Sequence, residues 1–477
     1  MEIGTEMTPV SAAAQVFAKQ KESILALRSE HLSRRIVRLK KLETWVHSNR
    51  ERIKKSVHAD FQKPLLEVDT TEIYPILTEL RHTLKHIEEW ARPKKVDATL
   101  SYIGTRSEIR YEPKGVCLII APWNFPFNLC VGPLVSCLAA GNMAIIKPSE
   151  LTPSTSRLLR EMAEEIFEGD VVTVMEGGVE VSKALLDLPF DHIFFTGSPS
   201  VGKEVMKAAA QNLTSVTLEL GGKSPTIIDA SADLKDAAKR IAFGKFLNNG
   251  QTCIAPDYVM IEESVKEKFI DHLKEEVKLL FGEGKGIDEN SVHYARIVDH
   301  KHFHRIHDML KDAVERGAKP EILGTIDERM RLMAPVILTN VGVGAKILEE
   351  EIFGPVLPIL TFKNKDEIVR QINGLPKPLA LYIFSRTTAF TEYILQNTSA
   401  GGVCINECLL QFNHPNLPFG GVNNSGIGKS HGHYGFLAFS NEKPLLRQKQ
   451  GWSGPYLLHP PYTKRMKWIV DLLLKWF

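Results

Sequence analysis

No apolar run in the chain approaches the roughly 18 residues that a bilayer-crossing helix needs, so no spanning segment is expected. Cysteine is scarce: 6 in 477 residues, at 117, 130, 137, 253, 404 and 408, mostly in apolar surroundings. That is too few and too scattered for a disulfide framework, and it points to a reducing, cytoplasmic setting. Cys404 and Cys408 have no His or Cys pair beside them at a zinc spacing, and no metal site is expected. Neither sign of charge is in excess, with 59 Lys plus Arg against 57 Asp plus Glu. The sequence therefore lacks the electrostatic footprint of a nucleic-acid binder. Internal repeats and low-complexity tracts are absent. Met1–Ala14, with Glu2 and Glu6 and no apolar core, does not read as a secretory signal. What remains is the composition of a globular protein, 43% hydrophobic and 24% charged, long enough for two or three domains.

From about Ser11 to Trp90 apolar residues recur three and four apart (Ile24, Leu27, Ile36, Leu39, Leu42, Trp45), which predicts helices. Between Lys94 and Glu112 the period shortens: Thr99–Gly104 and Ser107–Glu112 read as a two-stranded ribbon of the kind completed by another strand or another subunit. Short apolar runs then alternate with helical patterns. Strands are expected at Val116–Ala121, Met143–Lys147, Val171–Glu176, His192–Thr196 and Val216–Leu220, with helices at Ser154–Glu168 and Val201–Gln211. A second alternating series runs from Thr226 to Asn406, and a last strand is expected at Pro444–Gln448. Such alternation predicts an α/β fold with buried, mostly parallel sheets.

The stretch Phe246–Tyr258, Phe-Leu-Asn-Asn-Gly-Gln-Thr-Cys-Ile-Ala-Pro-Asp-Tyr, sets a single cysteine in a polar, turn-forming context. Cys253 is either an ordinary buried cysteine or a nucleophile whose preceding backbone amides face a reacting oxygen. Gly197-Ser-Pro-Ser-Val-Gly202 follows a strand and opens a helix, as a phosphate-binding turn does and as a plain strand-to-helix turn does. Lys147-Pro-Ser-Glu150 is a strand end that presents either ligand contacts or a helix cap. Glu219, between two leucines and before paired glycines, is either a general base with a raised pKa or a partner of Lys223. Ala121-Pro-Trp-Asn-Phe-Pro126 offers Asn124 as an amide donor or as turn chemistry. Glu349-Glu-Glu-Ile-Phe-Gly-Pro355 and Leu417–Gly428 are rigid, glycine-punctuated loops.

Taken in order, Ala121–Pro126, Lys147–Glu150, Gly197–Gly202, Glu219–Pro225, Gly250–Cys253, Glu351–Pro355 and Pro418–Gly428 resemble the aldehyde dehydrogenases over about Ser11 to Gln448. The wording around Cys253, the short N-terminus and Lys377-Pro-Leu-Ala-Leu-Tyr resemble the class 3 branch, which includes fatty and aromatic aldehyde dehydrogenases. The resemblance implies a Rossmann-like cofactor domain (1–93 and 112–218), an α/β catalytic domain (219–406), a small β bridging ribbon (94–111 and 430–450) that joins two copies in a homodimer, and a hydrophobic tail (451–477). It implies NAD(P)-dependent oxidation of an apolar aldehyde to its acid, through a thiohemiacetal and a thioester. Cys253 would be the nucleophile, Asn124 with the Cys253 amide the oxyanion hole, and Glu219 the base for hydrolysis. Cofactor contacts would come from Trp123, Lys147, Glu150, Gly197, Ser198, Gly202, Glu351 and Phe353. Tyr74, Gln411, Phe412 and His414 would line the substrate tunnel. The Glu150 carboxylate favours NAD, while class 3 relatives often accept NADP as well. Pro199 departs from the usual Gly-Ser-Thr at the phosphate turn and removes a backbone donor. No histidine accompanies Cys253, so its thiol pKa is expected to be lowered by backbone dipoles and cofactor. A catalytically silent, membrane-peripheral binding protein is the alternative from another class.

The tail ends in Lys464–Phe477, with 464, 467, 471 and 475 on a polar stripe and Trp468, Ile469, Leu472, Leu473 and Trp476 on an apolar one. It reads as a basic amphipathic helix for a membrane interface, or as one that packs on a partner subunit or over the substrate entrance.

Overall fold

The computed structural model describes residues 8–97, 102, 104–168, 171–451, 456 and 459–476. The N-terminal helices form as their spacing predicts. Pro9–Arg28 starts with Pro at its first position and with the Thr8 hydroxyl accepting from the Ser11 N–H. Leu32–Ser48 buries Leu39, Leu42, Trp45 and Val46. Arg50–Phe61 and Tyr74–Trp90 follow, the latter entered through a π-helical turn at Asp69–Ile73. These helices bury most of their apolar residues against one face of the first sheet, while Ala13 and Phe17 of the first join the cluster on its other face.

That sheet has six strands. Val116–Ile120 lies in the middle, with Met143–Lys147 and then Val172–Val174 parallel to it on one side. His192–Gly197 and Ser215–Leu220 are parallel to it on the other side, and Gly426–Ile427 closes the edge antiparallel to Ser215–Leu220. The chain thus builds outward from Val116–Ile120, then returns across it. The reversal leaves a crevice beyond the carboxyl ends of Val116–Ile120 and His192–Gly197, the place where doubly wound sheets bind ligands. A second sheet of seven strands takes its order from Lys319–Ile322, Val336–Thr339, Val356–Phe362, Tyr258–Glu262, Pro225–Ile228, Ala380–Phe384 and Gly402–Ile405. All its pairings are parallel except the first.

One helix escapes a periodicity reading. Asn128–Ala140 is buried on nearly every side and holds Pro133 inside it, so it has no polar stripe to betray its period. The ribbon also differs from expectation. Its long strand, Thr105–Pro113, pairs with Lys94–Val96 and not with Thr99–Gly104, of which 99–101 and 103 lie outside the described residues. On its other side it pairs with Ser440–Gln448, four residues longer at its start than the predicted strand.

Candidate active site

The turn before Cys253 is built by three successive residues with left-handed backbone: Asn248 (φ 53°), Asn249 (φ 56°) and Gly250 (φ 72°). Asparagine tolerates that region better than most side chains. Gly250 is obligatory for space as well, since a Cβ there would lie 2.3 Å from the Gly354 carbonyl oxygen. Gln251 then locks the coil, its amide donating to the carbonyls of Asn248 (2.9 Å) and Arg296 (3.0 Å) and its oxygen accepting from the Val298 N–H (3.0 Å). The buried Tyr382 hydroxyl donates to the Ile254 carbonyl (2.6 Å) from below.

Asn124, at the mouth of the central strand, is buried and donates from Nδ2 to the Gln251 carbonyl at 3.0 Å. Its own carbonyl accepts from Asn248 Nδ2 (2.8 Å) and from the Lys63 ammonium (3.3 Å). The asparagine is therefore tied to the cysteine loop, with one Nδ2 proton left over. Cys253 opens on one side into a pocket that also receives Glu219, Tyr74, Phe412 and Phe419. Its thiol does not match the expected lowered pKa. Burial first, then the Glu351 and Glu219 carboxyls, push it up to about 12, outweighing the amides of Cys253 and Ile254 that favour the thiolate.

Glu219 ends the strand Ser215–Leu220, opposite Gly426. Oε1 accepts from the Ser430 hydroxyl at 2.9 Å, while Oε2 is buried without a partner among the described residues. Burial raises this carboxyl to about 8, against the smaller opposing effects of Ser430 and Lys429. The alternative pairing with Lys223 does not form. That lysine is bonded to Asp257 and donates to the carbonyls of Ile347 (2.8 Å) and Glu350 (2.9 Å). Asp257 in turn accepts from the Ile352 N–H (3.0 Å), so the segment that carries Glu351 is clamped from beneath.

Glu351 lies against Gly221 and Gly222, where burial raises its carboxyl to about 8. A Cβ on Gly221 would stand 2.1 Å from its Oε2, so the paired glycines are the space that carboxylate occupies. Phe353 is held at φ 47°, with Trp123 edge-on to its ring at 5.4 Å. Lys147 is buried and reaches the Pro148 carbonyl (2.7 Å) and the half-exposed Glu150 carboxylate (3.1 Å). Ser198 caps the helix Pro199–Gln211, accepting from the Val201 N–H at 3.4 Å, and Gly202 lets that helix settle on Leu220. These residues surround the crevice at the strand reversal. An ammonium and a carboxylate at one strand end suit the hydroxyls of a ribose, and the capped helix start beside them suits a diphosphate, so the donor set fits a nicotinamide dinucleotide.

Of the four predicted tunnel residues, Tyr74 and Phe412 line the Cys253 pocket. Gln411 does not. Its amide turns to the Tyr382 hydroxyl (3.1 Å), bracing the cysteine loop indirectly. His414 is exposed and accepts from the Asn416 N–H at 3.3 Å, outside the pocket wall. Sequence reasoning missed Ser430, Glu79 and His431, which do reach the pocket, and the Lys63–Glu72 pair behind Asn124. Paired acid and base nine residues apart in a helical region carry no signal that they are internal.

A model of the aldehyde dehydrogenase family matches residues 6–445. The aldehyde dehydrogenase family 3 member A2 of Mus musculus is 42% identical over 452 residues, covering 94% of this chain and 92% of that protein. The 4,4'-diaponeurosporen-aldehyde dehydrogenase of Staphylococcus aureus is 42% identical over 458 residues, covering 95% and 98%. Among solved structures, the substrate-bound state of Staphylococcus aureus AldH superposes with a TM-score of 0.92 at 41% identity, covering 96% of this chain and 99% of that one.

Proposed function

The chain belongs to the aldehyde dehydrogenase family, in its class 3 branch, and is an NAD(P)-dependent enzyme; from that premise we propose that its substrate is an apolar aldehyde, long-chain aliphatic or aromatic. The observation that carries this is the pocket around Cys253, whose walls include Tyr74, Leu129, Phe412 and Phe419 and whose polar groups are few. One relative points the same way, being named for 4,4'-diaponeurosporen-aldehyde.

The chemistry assigned to the residues runs as follows. The Cys253 sulfur, once deprotonated, bonds to the aldehyde carbon, and the carbonyl electron pair moves onto oxygen. Asn124 Nδ2 and the Cys253 N–H hold that oxyanion. When it collapses, the carbonyl re-forms and a thioester stays on Cys253. Bound NAD(P) supplies the hydride acceptor that makes the collapse an oxidation. Glu219 then takes a proton from water, the hydroxide adds to the thioester, and the Cys253 thiolate leaves as the acid is released. Lys147 and Glu150 would hold the adenosine ribose, Gly197 and Ser198 the diphosphate, and Glu351, Phe353 and Trp123 the nicotinamide side. Glu150 favours NAD over NADP by repelling a 2′-phosphate.

Cys253→Ala will abolish NADH formation with decanal and benzaldehyde, and Glu219→Gln will give one equivalent of NADH followed by a stalled acyl-enzyme visible by mass spectrometry. Normal turnover by the alanine variant would overturn the assignment. As a second part of the proposal, two copies pair through the ribbon, and the tail helix contacts a membrane surface.

A further inference from the structure

The pocket that receives Cys253 holds a second polar pair, assembled from residues far apart in sequence and unused by the oxidation chemistry. Glu79, on the helix Tyr74–Trp90, is buried, its side chain 8% exposed. Its Oε1 accepts from the Gly432 N–H at 2.8 Å. Its Oε2 has no hydrogen-bond partner among the described residues and lies 4.0 Å from His431 Nδ1, too far for a direct bond. The His431 ring stands between Phe412 (centroids 4.7 Å) and Phe419 (5.4 Å), and its nitrogens likewise have no hydrogen bond among the described residues. Both side chains line the pocket.

The backbone is committed to this arrangement. His431 sits at φ 70°, a left-handed conformation uncommon for a non-glycine residue, and strain of that kind persists where surrounding contacts enforce it. The next residue, Gly432, is also left-handed, and a Cβ there would lie 2.2 Å from the Pro415 carbonyl. A carboxylate oxygen and an imidazole nitrogen, both unsatisfied in an apolar pocket, cost free energy unless a ligand or water fills the gap.

We propose that Glu79 and His431 form a subsite for a hydroxyl group, so that the preferred substrates are apolar aldehydes that carry a hydroxyl on the chain or ring. An oxygen about 2.8 Å from each group bridges the 4.0 Å gap, donating to Glu79 Oε2 and accepting from a protonated ring nitrogen of His431. A carboxylate is repelled by Glu79. An ammonium finds a single acid that burial has raised to about 7 and a histidine that burial keeps neutral. This rests on the aldehyde reading above and names the substrate class within it.

Matched pairs test it: 4-hydroxybenzaldehyde against benzaldehyde, and 10-hydroxydecanal against decanal. In the unaltered enzyme at least one pair will favour the hydroxylated member by about tenfold in kcat/KM. Which pair does so distinguishes a phenol from an aliphatic alcohol. Glu79→Leu will bring that ratio close to one. His431→Asn, which tolerates the left-handed turn, will lower it even if the leucine variant melts early. Ratios below about twofold in the unaltered enzyme, or ratios unmoved in both variants, would leave water as the only occupant and overturn the proposal. Calorimetry of Cys253→Ala with decane-1,10-diol against 1-decanol, and 4-hydroxybenzyl alcohol against benzyl alcohol, separates the two readings. Preference for the hydroxylated ligand stands even if no aldehyde is oxidised, and its absence removes the subsite while leaving the oxidation intact.

Discussion

Glu219 is held by one hydrogen bond in a buried site, and on the hydrolytic role proposed for it that environment would set the pH behaviour of the last step. Its carboxyl is raised from 4.5 to about 8, so at neutral pH most of it carries a proton and cannot accept one from water. The hydrolytic limb of the steady-state rate should therefore climb as pH rises through about 8. The same sign governs stability: an acid whose folded pKa lies above its unfolded one contributes fully below about pH 4.5, and that contribution fades as pH rises towards 8. Ser430→Ala removes the one donor that favours the ionised form, so the rate limb should move to higher pH while the single-turnover NADH burst keeps its profile. A pH–rate series on both proteins checks this, and an unshifted limb in Ser430→Ala would deny the hydroxyl its role. Cys253 is raised to about 12 by burial and then by the Glu351 and Glu219 carboxyls, so the nucleophile role proposed for it predicts little alkylation of the free enzyme near neutral pH and more once NAD is bound.

At the scale of elements, Asn124 is positioned by a buried ion pair behind its loop. Lys63 and Glu72, both fully buried, form an ion pair at 2.8 Å. Glu72 Oε2 also accepts from the Asn128 N–H (2.8 Å), and the lysine stands 3.9 Å from the centre of the Phe125 ring, on the loop that carries Asn124. Glu72→Gln strands the ammonium and should cost about 3–5 kcal/mol of stability, whereas Lys63→Met with Glu72→Leu should recover much of it. Urea unfolding of the two proteins measures the difference. If the single variant is as stable as the unaltered protein, the pair does not anchor this loop. This pair also marks where sequence reading stops. Strands such as His192–Gly197 and the amphipathic helices announce themselves by period, and Asn124, Glu219 and Cys253 stood out because each breaks the pattern of its neighbours. Asn128–Ala140, apolar on all sides, has no contrast to detect. Gln411 and His414 were drawn into the tunnel by proximity to Phe412, but a four-residue helix at Leu410–Asn413 sends neighbouring side chains in different directions.

At the scale of the molecule, two exposed features stand out. Ser440–Gln448 is nine residues long and, among the described residues, forms the outer strand of its three-stranded sheet, with Leu446 about half exposed. An outer strand of this length is a template for a second copy, and on the proposal that two copies pair through the ribbon the full chain should sediment as a dimer. The tail helix Lys464–Trp476 leaves Trp468 (64%), Leu472 (45%) and Leu474 (79%) in solvent beside Lys464, Arg465 and Lys467. Among the described residues no helix is long and apolar enough to cross a membrane; the proposal that this helix lies on a membrane surface predicts binding to anionic lipid. A chain truncated before Lys464 should remain dimeric yet lose flotation with vesicles containing anionic lipid; flotation undiminished by truncation would rule the tail out. The pocket itself is closed by the segment from Phe412 to Gly432, whose Ser430 hydroxyl and Gly432 N–H meet Glu219 and Glu79 across 211 and 353 positions of chain. At the usual pace of synthesis, roughly 5–20 residues per second, some 10 to 35 seconds separate the making of Cys253 from that of Ser430. Each newborn molecule thus carries the Cys253 thiol for that interval without the wall that later encloses it.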